Sequence, residues 1–224
     1  NLMAQSAKRF VTGLRECFAA QASPENAAAM KAYLRGQFDF FGLKAPVSRP
    51  IVRDYLATNG LPELNLLKKV AQQLWREPER ELQHAALELL YRRRKELTPA
   101  DLPLLEKLLT TKSWWDTVDF IAYKLIGQLL ARHPDRQTAV ARRLANSGHL
   151  WLIRVSIIFQ LLRKDQTEAK LLAELIERHA HHPNFFIRKA IGWALRDYGK
   201  TNPDWVRNFV GHTHLSPLSV REAL

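Results

Sequence analysis

Phe185-Phe186-Ile187-Arg188-Lys189-Ala190-Ile191-Gly192-Trp193-Ala194-Leu195-Arg196-Asp197-Tyr198-Gly199 places Ile187, Ala190, Ile191, Ala194, Leu195 and Tyr198 at the spacing that gathers apolar side chains on one face of a helix. Residues 151 to 164 repeat the design with Ile153, Ser156, Ile157, Gln160 and Leu161, so two amphipathic helices of similar build are expected. No alternating run bounded by Asn-Gly or Asp-Gly turns competes with them, and strand signals are nearly absent. Helix boundaries are expected at Ser23-Pro24-Glu25, Gly60-Leu61-Pro62, Glu77-Pro78, Thr98-Pro99, His133-Pro134, His182-Pro183, Asn202-Pro203 and Ser216-Pro217. Roughly twelve helices of about 9 to 18 residues follow, joined by short loops into an all-α stack.

The same stretch lines up with others along the chain. Gln83-His84-Ala85-Ala86, Val118-Asp119-Phe120-Ile121, Ile153-Arg154-Val155-Ser156, Ile187-Arg188-Lys189-Ala190 and Val220-Arg221-Glu222-Ala223 are separated by 35, 35, 34 and 33 residues. A helix pair with its two turns has about that length, which predicts a HEAT-like helical-repeat solenoid with one helix of each pair lining a concave surface. The second position of the repeat reads His84, Asp119, Arg154, Arg188 and Arg221, one acid in a cationic row. A uniform step of 35 would align Lys189 with Arg154 instead of Arg188, and one residue turns a helix by about 100°. The Lys189 phase gathers Lys189, Trp193, Arg196 and Lys200 into a basic stripe with one aromatic. Such a stripe is either a solvated face or a row of charges for phosphates spaced along a duplex.

Composition narrows the partner. Lys and Arg number 34 against 22 Asp and Glu, a formal charge of +12 over 224 residues. That excess calls for a polyanion, and nucleic acid is the first candidate. There is no apolar run long enough to span a membrane, no signal-peptide pattern and no lipidation motif, so a soluble intracellular protein is expected, with no membrane partner. Cys17, the single cysteine, leaves no intrachain disulfide or cysteine-based metal site, and is expected as a small buried hydrophobe. His179, His181 and His182 lack metal-ligand spacing and read as a loop, so no metal is expected. Trp75, Trp151 and Trp205 sit in apolar helical settings and read as core. The run Arg92-Arg93-Arg94-Lys95 ends a helix, where its charge suits the dipole and would be available to phosphate. No phosphate-binding glycine loop, nucleophile elbow or kinase set is present, so no nucleotide cofactor is expected.

Against this basic background stands Thr111-Lys112-Ser113-Trp114-Trp115-Asp116-Thr117-Val118-Asp119. With Ser113 as N-cap, Trp115 and Asp119 lie one turn apart on one helix face, an indole and a carboxylate pointing the same way. Such a pair suits something cationic and flat or sugar-like. A tryptophan pair at a helix start also serves as core, and an aspartate there is favoured by the macrodipole alone. Tyr33, in Ala32-Tyr33-Leu34-Arg35, fits a core edge and a groove wall equally well.

These stretches resemble the AlkD-type DNA alkylation-repair glycosylases, HEAT-like repeat proteins. The resemblance runs from about residue 8 to the end. It is carried by Thr111 to Asp119, Lys189 to Asp204 (KAIGWALRDYGKTNPD), Glu79 to Ala86 (EREL QHAA) and Leu215 to Ala223 (LSPLSVREA). It implies one domain over residues 1–224, with a concave basic groove. The implied protein is a base-excision-repair DNA glycosylase that hydrolyses the N-glycosidic bond of N3-alkyladenine and N7-alkylguanine in duplex DNA, without base flipping. On this pattern Asp119, Trp115 and Trp193 form the catalytic cleft, Arg154 contacts the DNA backbone, and Tyr33 lines the groove near the lesion. The basic stripe adds Lys189, Arg196 and Lys200, with Arg188 as the alternative to Lys189. The basic residues of Gln160-Leu161-Leu162-Arg163-Lys164 depart from the family's pattern. No cofactor is implied. A monomer in the bacterial cytoplasm or nucleoid, acting on alkylated double-stranded DNA, is expected. A non-catalytic HEAT-like binder of damaged or distorted DNA is the alternative, and a protein-interaction solenoid a third reading.

Overall fold

The computed structural model describes residues 2–224, and these are helical apart from turns, loops and one isolated bridge between Asp39 and Glu79. Two compact units share the chain, one ending at Glu96 and the other running Leu97–Leu224. No described helix is long and apolar enough to cross a membrane.

The first unit contains α1 (Leu2–Ala19), α2 (Pro24–Tyr33), α3 (Ala45–Asn59), α4 (Leu64–Arg76) and α5 (Arg80–Arg92). On α4, Leu67, Val70, Ala71, Leu74 and Trp75 are buried at helical spacing against α1 and α5. α2 buries no residue at all. The stretch Glu79 to Gln83 holds the segment that follows α2. Glu79 pairs with Arg15, and Arg80, fully buried, lies 3.7 Å from the centroid of Phe38. The buried Glu81 carboxylate accepts from the amides of Phe41, Gly42 and Leu43 at 3.0, 2.8 and 2.9 Å, so the loop that follows α2 is fastened to the start of α5. Gln83 Nε2 donates to the carbonyls of Leu74 and Glu77 and closes α4. The basic run after α5 is engaged locally: Arg93 donates to the carbonyls of Pro62 and Leu61 and to Glu96, and Arg92 pairs with Glu88. Cys17 is half-buried instead of fully enclosed.

The second unit begins with α6 (Leu102–Thr110). α7 (Trp115–Asp119), a π-helical segment (Phe120–Ile126) and α8 (Gly127–Arg132) then run on without a break. α9 (Pro134–Ala145), α10 (Leu150–Ile158), α11 (Ala169–Arg178), α12 (Phe185–Gly199), α13 (Pro203–His212) and α14 (Pro217–Ala223) complete it. Every proline-marked boundary expected from the sequence is a helix edge here, with Asn202 and Ser216 side chains accepting amides at the starts of α13 and α14. Pro50 was marked by no such boundary and lies inside α3. The expected range of helix lengths fails at α7 and α8, because the π segment divides one long helical run into short α pieces, and at the short α14.

α10 is not the amphipathic helix its pattern suggested. Ile153 through Leu161 are nine consecutive buried residues, since α10 is enclosed by α6, α9, α11, α12 and the helical run through Asp119. A helix apolar on all sides lies within a core, and any charge on it must find a partner there. Close approaches fix the neighbours. A Cβ on Gly127 would lie 2.2 Å from the carbonyl oxygen of Phe159, at the end of α10. A Cβ on Gly192 would lie 2.4 Å from Cβ of Glu222, so α12 and α14 meet at that glycine. Polar contacts recur at similar separations along the chain: Arg132 with the Leu97 carbonyl at 35 residues, Arg163 with that of Gly127 at 36, and the Leu162 amide with Asp197 at 35.

Candidate active site

Ser113 does not cap the helix that follows. Its hydroxyl donates to the Leu109 carbonyl at 2.7 Å and closes α6, while Trp114, extended at φ −155°, occupies the cap position. The reason is the turn at Lys112, whose φ of 51° sends Ser113 back toward α6. The spacing of Trp115 and Asp119 survives, because α7 begins at Trp115 and the two are one turn apart. The two tryptophans separate. Trp114 packs edge-on against Trp151 at 5.8 Å and Phe186 at 5.1 Å, and the rings of Trp151 and Phe186 lie 4.9 Å apart. Trp115 is half-buried at the start of α7, on the helix face that carries Asp119.

Asp119 meets Arg154. Arg154 Nε donates to Oδ1 at 2.8 Å and Nη2 to Oδ2 at 3.0 Å, a two-point grip between side chains only 14% and 7% exposed. The remaining terminal nitrogen, Nη1, donates to the Phe186 carbonyl at 2.6 Å. The guanidinium also lies 5.8 Å from the ring centroid of Trp193 and 5.9 Å from that of Phe186. Three helical elements thus deliver one cluster: Asp119 at the junction of α7 and the π segment, Arg154 on α10, and Trp193 on α12. Burial pushes the Asp119 carboxyl above the usual carboxylate range; the Arg154 hydrogen bonds and charge pull the other way, and the charge of Asp116 adds to the rise.

Arg154 therefore stands elsewhere than on an exposed rim. At 5% exposure, with all three guanidinium nitrogens engaged, it holds Asp119 in place. The physical reason is the enclosure of α10, where a charged side chain has no route to solvent. The stripe on α12 is also engaged. Lys189 Nζ donates to one oxygen of Glu222 at 2.9 Å and Arg196 Nη1 to the other at 3.1 Å, both from α12 to α14. Lys189, Trp193 and Arg196 follow one another at i, i+4 and i+7 along α12. Arg188 is half-buried with an enclosed Nε that makes no hydrogen bond, and its carbonyl accepts from Ser219 Oγ at 2.9 Å. Lys200 is exposed at the end of α12. Tyr33 belongs to the first unit, 72% exposed at the end of α2. Arg163 turns inward, bonding Gln137 and the Gly127 carbonyl; burial lowers its pKa to about 10.

Two contributors were missed. Phe186 supplies the carbonyl that completes Arg154, and no side-chain pattern announces a backbone acceptor. Tyr123 lies four residues beyond Asp119, edge-on to Trp193 with ring centroids 6.2 Å apart. Its position at i+4 from Asp119 was the available signal. π-Helical turns concentrate at functional sites, and this one follows Asp119 directly and carries Tyr123. Among the described residues no group of three or more His, Cys, Asp or Glu is arranged to hold a metal ion. Chemically, the cluster offers a fixed carboxylate beside an aromatic face, which suits a cation.

Comparison with known proteins follows the same direction. A family model described as DNA alkylation repair enzyme matches residues 14–224. Among solved structures, the chain is similar to a predicted DNA alkylation repair enzyme from Enterococcus faecalis, with 32% sequence identity and a TM-score of 0.85 over 91% of this chain and 95% of that one. No curated protein matches.

Proposed function

The chain belongs to the DNA alkylation repair enzyme family, and from that premise we propose that it is a glycosylase that releases cationic alkylated purines from duplex DNA. The observation that carries the proposal is the Asp119 carboxylate, clamped at two points by a buried arginine beside Trp193. A purine alkylated at N3 or N7 already carries positive charge, so it leaves without a general acid. What the protein must do is stabilise the charge that passes to the deoxyribose as the bond breaks. Asp119 supplies the counter-charge, and Trp115 and Trp193 supply electron-rich faces that exclude bulk water. The base need not enter a pocket, which agrees with a reading in which the lesion stays in the duplex. Arg154 acts in this scheme by orienting Asp119. Lys200, with Lys189 and Arg196 released from Glu222, would meet phosphates, and Tyr33, exposed at the end of α2, would contact DNA as a groove residue.

The pairing itself favours one other reading. An Asp–Arg pair can be wholly structural, as in a protein that binds damaged DNA without cutting it. Single-turnover release from one duplex sequence carrying 7-methylguanine, a larger N7 adduct or hypoxanthine separates the two. The glycosylase releases both cationic purines and leaves hypoxanthine several orders of magnitude slower. Binding with no release of any base establishes the alternative, and efficient hypoxanthine release requires an acid this cluster lacks.

A further inference from the structure

Tyr123 touches the cluster and has no assigned task. Its ring is half-buried and held edge-on by Trp193, with an interplanar angle of 83°. It follows Asp119 by one turn, on the π segment. Among the described residues its hydroxyl makes no hydrogen bond to protein, although the ring below it is fixed. Asp119's charge reaches the phenol and, after burial, is the next cause holding its pKa above the ordinary tyrosine value, so it stays a neutral donor at working pH. A located ring with a free hydroxyl in the field of a carboxylate makes two fixed points a small polar molecule can bridge.

Resting on the glycosylase reading, we propose that Tyr123 positions the water that attacks the sugar, its hydroxyl and Asp119 being the two points that hold that water. In the step, the bond between C1′ and the base nitrogen breaks, and its electron pair goes to the cationic base, which leaves neutral. A lone pair of the water oxygen forms the new bond to C1′. The proton then lost from that oxygen passes to Asp119 and on to solvent, so no oxidant or further reactant is needed. Asp119's raised pKa makes it a better acceptor than an ordinary aspartate. Trp193 acts on this water only through Tyr123, by fixing the ring.

The test uses Tyr123→Phe, which keeps the ring contact, and Tyr123→Leu, which loses it. Single-turnover release of 7-methylguanine is measured with about 1 M methanol present, and the product is divided between abasic sugar and its methyl glycoside. Tyr123→Phe should release base on the order of tenfold more slowly with unchanged duplex affinity, a general-catalytic contribution of about this size being ordinary. It should also raise the methyl glycoside share, because water is no longer favoured by position. Tyr123→Leu should be slower again. A slower rate with an unchanged methanol share means the tyrosine only supports the fold, and overturns the proposal, as does an unchanged rate. If the wild-type protein releases no base, it is the glycosylase reading that falls. The pairing is then read by the phenolate absorbance of wild type minus Tyr123→Phe: in Asp119→Asn that titration should move to lower pH, and no movement overturns the pairing.

Discussion

Replacing Asp119 by asparagine keeps the size and shape of the side chain and removes its charge. In an effective dielectric of about 20, a carboxylate about 4 Å from a sugar cation stabilises it by roughly 4 kcal/mol. Arg154 opposes this, since its guanidinium, one ion-pair length behind at about 8 Å, costs the same cation roughly 2 kcal/mol. The amide loses the first effect and keeps the second, so the barrier rises by about 4 kcal/mol and excision slows near a thousandfold. The variant also strands a buried arginine, because the pair is only 14% and 7% exposed, and stability should fall by about 3–5 kcal/mol. Rates are therefore compared at a temperature where both proteins are shown to be folded. Asp119→Asn combined with Arg154→Gln removes both charges. That double variant should recover stability and excise about thirtyfold more slowly than wild type, and so about thirtyfold faster than the single variant. The assay is single-turnover release of 7-methylguanine with enzyme in excess. A folded Asp119→Asn protein within threefold of the wild-type rate would refute the electrostatic reasoning and remove Asp119 from the mechanism.

Arg154→Gln alone removes the opposing guanidinium charge, but it also removes both bonds that hold the buried Asp119 ionised and in place. The second effect should outweigh the first, slowing excision and lowering the melting temperature, while the salt dependence of duplex affinity keeps its slope; a slope smaller by about one unit would make Arg154 a phosphate contact after all. The acid limb of the rate–pH profile should lie above that of an ordinary aspartate, since burial raises the Asp119 pKa, and Arg154→Gln should move it higher still. The stability linkage has the opposite sense: with its folded pKa raised, Asp119's contribution is full below its unfolded pKa and is lost as pH rises through the folded one, so acidification removes activity without removing this part of the stability. A profile whose acid limb lies no higher than that of an ordinary aspartate would contradict the assignment. Glu222→Gln frees Lys189 and Arg196, and should tighten binding to undamaged duplex while steepening the log–log salt slope by up to about two units; an unchanged slope would show that neither cation reaches phosphate.

The helices were readable in the residues alone, because helix formation is decided locally. The apolar face of α12, the prolines that open α9, α13 and α14, and the i+4 spacing of Trp115 and Asp119 all depend on neighbours within a turn or two. The 35-residue separation of Asp119 and Arg154 was readable too, and the two side chains meet across it. What that pair does was not. Arg154 looked like one member of a basic row, and only the enclosure of α10 on every side converts it into the buried partner of the lone acid. Ser113 had the right chemistry for a cap and the wrong direction, because Lys112 turns the chain at a positive φ. Lys189 and Arg196 read as free charges until α14 brings Glu222 against Gly192. In each case sequence spacing fixed which face of its own helix a side chain occupies. The partner it meets depends on how helices some 35 residues apart pack, and that is decided by close approaches such as those at Gly127 and Gly192, where the absence of a single Cβ sets the distance between helices.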